Sequence, residues 1–160
     1  MPFELDHLFV FTGVGAPEAD RLVSLGMTEG SGNVHRGQGT ANRRFFFRNA
    51  MLELLWVDDK QEVLSEPIAP TWLWERSQSR RTRASPFGIC LRGTDGTGPA
   101  PPFETWTYYP PYLPAGMGIP VARTATSGAI QHTEWRSENL NCESTACARK
   151  RQQPALSNEV

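Results

Sequence analysis

One amphipathic helix separates the first two strand-like runs of this chain, and the later runs are joined by links too short for another crossover. In LDHLFVFT (5–12), Leu5, His7, Phe9 and Phe11 fall on one side and Asp6, Leu8, Val10 and Thr12 on the other. APEADRLVSLG (16–26) then carries helix signals. Pro17 suits the first turn, and Glu18 and Asp20 favour the positive end of the helix dipole. Ala19, Leu22 and Val23 share one face, and Gly26 provides a stop. A weaker strand over 27–35 follows, then the turn RGQGTA (36–41) and the strand NRRFFFR (42–48). Asn49 and Ala50 connect tightly to the strand MLELLWV (51–57), which Asp58 and Asp59 stop. A helix between the first two strands imposes a parallel crossover, and the short links impose antiparallel hairpins. Such a sheet carries a helix on one face, so its other face needs a second sheet, a partner subunit or a ligand.

The second half is less regular. A short helix is expected over 60–65. In APTWLWERSQSRRTRAS (69–85), Trp72 and Trp74 are expected on the sheet. Arg76, Arg80, Arg81 and Arg83 read as a solvated segment, with an anion site as the alternative. PFGICLRG (86–93) is a fifth strand, GTDGTGPAPPFE (93–104) a loop, and a short strand is expected over 118–122. The pattern gives a domain over 1–122, with 3–57 its regular part and 58–122 a divergent half. Residues 123–160 read as a poorly structured segment.

With 160 residues and a net charge of −1, one domain with a real core is expected, and nothing global points to nucleic acid or an anionic membrane. No apolar run approaches the roughly 18 residues of a membrane span, and no secretory signal order opens the chain. A soluble, cytoplasmic protein is expected. Of three cysteines, Cys90 reads as a small buried hydrophobe. Cys142 and Cys147 form a single C-x4-C with no histidine or cysteine downstream, whereas zinc sites usually pair two such knuckles.

Leu52, Leu54 and Trp56 suit the face under the helix, which leaves Glu53 on the opposite face with Met51, Leu55 and Val57. His7 likewise lies opposite Leu8 and Val10. If the two strands are neighbours, an imidazole and a carboxylate open into one concavity. A buried carboxylate needs a partner, a proton, water or a metal. His7 is then either a core-edge histidine or a ligand, and Glu53 either an ion-pair partner of Arg43 or Arg44 or a ligand. The turn HRGQGTANRR offers Gln38 and Asn42 as paired donors and acceptors, and Arg43 or Arg44 for a carboxylate; a hairpin turn with polar caps is the alternative. The turn lacks the Lys-Ser/Thr ending of a phosphate loop, and no Ser-His-Asp or Cys-His nucleophile arrangement stands out.

The element order, LDHLFVFT, RLVSLGM, and above all HRGQGTANRRFFFRNAMLELLWV resemble a βαβββ module of the vicinal oxygen chelate superfamily, in its glyoxalase-like branch. The resemblance covers roughly 3–122. It implies an α+β, glyoxalase/bleomycin-resistance-like fold in which two modules form a cupped sheet around a divalent metal ion (Zn, Ni, Mn or Fe). His7 and Glu53 stand at its ligand positions, with Glu53 also able to move a proton. The second module's first strand, PFGICLR, has no histidine; His132 and Glu134 in IQHTEW, or a second subunit in a homodimer, are the candidates for completing the site. The implied function is a metal-dependent enzyme on a small oxygen-bearing substrate. The alternative is a non-catalytic, drug-sequestering module whose cavity Phe9 and Phe45 would line, with Gln38, Asn42 and Arg43 setting its polarity.

Overall fold

The computed structural model describes residues 3–94, 101, 103–123 and 132–136. Cys142, Cys147 and most of the segment 123–160 lie outside them. Eight strands form one sheet in the order β2-β3-β4-β1-β5-β8-β7-β6. They are β1 (Phe3–Phe11), β2 (Asn33–His35), β3 (Thr40–Phe46), β4 (Met51–Val57), β5 (Phe87–Gly93), β6 (Thr105–Tyr108), β7 (Ile119–Ala122) and β8 (His132–Arg136).

The order reads the same outward from the central antiparallel pair β1–β5. β1 pairs in parallel with β4, which continues antiparallel to β3 and β2. β5 pairs in parallel with β8, which continues antiparallel to β7 and β6. The expected crossover is present, since β2 runs in the direction of β1, but the strand that docks beside β1 is β4. The second half therefore repeats the pairing scheme of the first. It diverges in having no helix between β5 and β6 among the described residues. β8 extends the sheet beyond residue 122, into the stretch read as poorly structured. Neither β6 nor β8 shows a long alternating run, because both are short and are stabilised by non-local pairing.

Helix α1 (Glu18–Ser24) covers the outer face of the first half. Ala19 and the partly buried Leu22 of the helix, with Ala16 just before it, pack on Phe45, Leu54 and Val10; Val23, expected on this side, is 45% exposed. Arg43 ties this layer down from β3, reaching Glu29 at 2.6 Å and Asp20 at 2.8 Å and donating to the Ala16 carbonyl. The guanidinium holds the Glu29 carboxyl below the usual carboxylate range.

The inner face carries the larger core. Phe9, Phe11, Leu55, Cys90, Ile119 and Val121 come from the sheet, and Val63, Ile68 and Leu73 come from the segment between β4 and β5. That segment holds α2 (Lys60–Val63), a 3-10 turn (Ala69–Thr71), α3 (Leu73–Ser77) and α4 (Ser79–Thr82). Trp74 packs on this core, whereas Trp72 sits at φ 60° and is half exposed. Arg76, read as solvated, is fully buried: its Nη1 donates to the carbonyls of Ser85 (2.9 Å) and Phe87 (2.7 Å), fastening α3 to the start of β5. Gly88 is the one residue that fits beneath Phe9, since a Cβ there would lie 2.1 Å from the ring.

Candidate functional site

A bulge sets the first functional side chain. The β1–β5 register shifts between Leu5 and His7, so Asp6 is the extra residue. Adjacent strand residues normally face opposite ways; here the Asp6 carboxylate reaches His7 Nδ1 at 2.7 Å. Asp6 is itself held by Arg92 at 3.2 Å. With Nδ1–H donated to Asp6, the neutral tautomer assigned from this network leaves Nε2 as a lone pair.

That lone pair faces Glu53. The parallel register Phe9↔Glu53 puts Glu53 on the inner face, and its Oε2 lies 3.6 Å from His7 Nε2. Both residues are buried. The predicted geometry is therefore present: β1 and β4 are neighbours, and the imidazole and the carboxylate share one hollow. Two acceptors facing each other at this distance repel unless a proton or a cation lies between them.

The other carboxylate oxygen is engaged from β3. Asn42 Nδ2 donates to Glu53 Oε1, while Asn42 Oδ1 accepts from the Asn33 amide at 2.7 Å and so fixes the amide orientation. His35 completes the cluster: its Nε2 is 3.9 Å from Glu53 Oε1 and 3.4 Å from Asn42 Nδ2. Its Nδ1 lies 2.9 Å from Thr40 Oγ1, and Tyr112 covers its ring at a centroid distance of 4.7 Å. Sequence reasoning passed over His35. The signal available was its place seven residues before Asn42, across a glycine turn.

Gln38 lies in that turn, where Gly39 takes φ 77° against the Asp59 carbonyl. Gln38 Nε2 donates to Thr40 Oγ1 at 2.7 Å, and Gln38 Oε1 accepts from Tyr108 OH at 2.9 Å. Tyr108 belongs to β6, at the far edge of the sheet from β2. This bond closes the sheet into a cup. Tyr108→Phe is expected to cost about 1–3 kcal/mol, because a buried amide oxygen loses its donor; urea unfolding reads it, with Tyr109→Phe, at an exposed site, near zero.

Of the residues singled out in the sequence, His7, Glu53, Asn42 and Gln38 come together. Phe9 lies on the same face but is 2% exposed and packed edge-on to Phe11, so it forms floor rather than open wall. Arg43 and Phe45 do not join the site. The register Arg43↔Leu54 and Phe45↔Leu52 turns both to the helix side, where Arg43 pairs with Glu29 and Phe45 fills the space under α1. The alternative partner for Glu53, Arg44, instead donates to the Ser31 carbonyl. For His132 and Glu134 the structure gives backbone register: His132 beside Gly88, and Glu134 beside Cys90, which in turn stands beside His7.

His7 Nε2 and Glu53 Oε2 are of the right chemistry for one divalent ion, and their 3.6 Å separation is close to the roughly 3.0–3.5 Å between two ligands at about 2.1 Å from a shared ion. Among the described residues no group of three or more His, Cys, Asp or Glu side chains is arranged to hold a metal ion. Among those residues, too, no helix is long and apolar enough to cross a membrane.

The family model of the glyoxalase-like domain matches residues 5–144. No curated protein matches the chain. Solved structures similar to it include a hypothetical protein from Staphylococcus aureus, at 14% identity and a TM-score of 0.47, with 84% of this chain and 59% of that one covered. A hypothetical protein from Bacillus halodurans C-125 aligns at 15% identity and a TM-score of 0.47, covering 85% of this chain and 96% of that one. This chain thus spans under two thirds of the first of these proteins. With the mirrored strand order, the cupped sheet and a family match that takes in most of its length, the chain belongs to the glyoxalase-like domain family.

Proposed function

We propose that this domain holds a divalent metal ion between His7 Nε2 and the Glu53 carboxylate and acts on a small oxygen-bearing substrate. One observation carries the reading: His7 Nε2 faces Glu53 Oε2 at 3.6 Å while Nδ1 is already satisfied by Asp6, so the pair can hold a cation or a proton between its members. A further ligand would come from His132 or Glu134, whose strand pairs beside β5, or from a second subunit. When bound, the ion supplies Lewis-acid polarisation of a substrate carbonyl or enediolate oxygen.

The chain's own groups do the rest. Asp6 fixes the His7 tautomer and ring plane. Asn42 holds one Glu53 oxygen and leaves the other directed at His7, where it can take or return a proton. Phe9, Phe11 and Leu55 keep the floor dry, which strengthens every charge interaction above them.

Metal analysis of the purified chain is the test. About one divalent ion per chain is expected. Asp6→Asn should retain the fold and weaken metal affinity about 10–100-fold, as loss of an orienting partner does. A chain that neither carries metal nor takes it up on titration would overturn the proposal.

A second reading, a metal-free binding module of the same fold, takes a shared proton instead of a cation between His7 Nε2 and Glu53 Oε2. Tight binding of an aromatic molecule by metal-free protein would favour it.

A further inference from the structure

The segment between β4 and β5 carries a second feature that the cup does not use. Lys60, Trp74, Gln78, Arg81 and Thr82 line a hollow of about 500 Å³. That volume is within the range of small-molecule sites. Lys60 comes from α2 and Arg81 from α4, so two cations distant in sequence converge on one concavity. Lys60 Nζ rests 5.0 Å from the centroid of the Trp74 ring. Among the described residues the Arg81 guanidinium has no ion-pair or hydrogen-bond partner, and Lys60 has no ion pair. Two unneutralised like charges in one hollow repel, and an anion between them relieves that repulsion.

Arg81 brings a planar fork suited to carboxylate or phosphate oxygens. Gln78 offers an amide, and the indole of Trp74 offers a flat apolar surface for the remainder of a ligand.

We propose that this hollow binds a small organic anion, with its carboxylate or phosphate group between Lys60 and Arg81 and a flat group against Trp74. The site is separate from the His7–Glu53 cluster and does not depend on a metal there.

Calorimetric titration of the full chain with phenyl phosphate, benzoate and inorganic phosphate tests this. Saturable binding of phenyl phosphate or benzoate is expected with a Kd below about 1 mM, weakening as salt is raised. Which of the two binds tighter identifies the head group. Lys60→Ala/Arg81→Ala should weaken binding at least about 10-fold, and Trp74→Phe should keep more affinity than Trp74→Ala. Lys60 and Arg81 are exposed, so the double variant is expected to fold normally, with an unchanged circular dichroism spectrum. No saturable binding, equal affinity in the double variant, or inorganic phosphate binding as tightly as phenyl phosphate would overturn the assignment.

Discussion

Glu53→Ala is expected to abolish divalent-ion binding and to destabilise the fold at the same time, and the two losses separate in Glu53→Gln. Alanine removes the acceptor of the Asn42 amide and the group opposite His7 Nε2, leaving polar atoms buried without partners. Stranded buried groups cost about 1–3 kcal/mol each. Glutamine keeps an oxygen for Asn42 but no charge for a cation. Its stability should stay within about 1 kcal/mol of wild type while metal affinity falls by orders of magnitude. Urea unfolding reads the first quantity and metal titration the second. Wild-type metal content in both variants would remove Glu53 as a ligand. Removing metal from the wild-type protein should lower its melting temperature, because an ion that binds the folded state alone stabilises it by mass action. Glu53→Gln should show no such shift.

Phe9→Ala carries the largest expected cost to stability, about 3–5 kcal/mol. The ring is 2% exposed, sits edge-on to Phe11 at 6.2 Å and lies over Gly88. Its removal leaves a cavity in the middle of the central strand pair, where strands on either side limit collapse. Phe87→Ala, on the opposite face of β5 and 52% exposed, should stay within about 0.5 kcal/mol. The contact also predicts coupling. Gly88→Ala drives a methyl into the Phe9 ring and is destabilising alone, but Phe9→Ala makes room for it. The double variant should therefore be more stable than the sum of the singles by about 0.5–3 kcal/mol; additive costs would show that the two residues do not share that space.

Periodicity was enough to place β1, α1, β3, β4 and β5, because each buries one face and so writes its period into its own residues. The same alternation put His7 opposite Leu8 and Glu53 opposite Leu54, and the shared hollow followed on the condition that their strands pair, as β1 and β4 do. Arg43 and Phe45 show where alternation stops. A run such as NRRFFFR carries arginine and phenylalanine on both faces, and only the pairing register with β4 decides which side each residue takes. Arg76 looked like its neighbours Arg80, Arg81 and Arg83. Its burial depends on two carbonyls at Ser85 and Phe87, which no local pattern announces.

What alternation and helix signals dictated here is the succession of elements in the first half and the face that His7 and Glu53 each take on their own strand, since both are local; the parallel β1–β4 pairing that brings the imidazole to the carboxylate is a contact between distant segments. What folding alone decided is the rest of the site. His35 arrives through the Thr40–Gln38 turn, Tyr108 reaches Gln38 across 70 residues, and the short strands β6 and β8 exist because the sheet already present offers them hydrogen bonds. Such interactions belong to pairs of residues whose proximity is set by sheet closure, and no single segment encodes them.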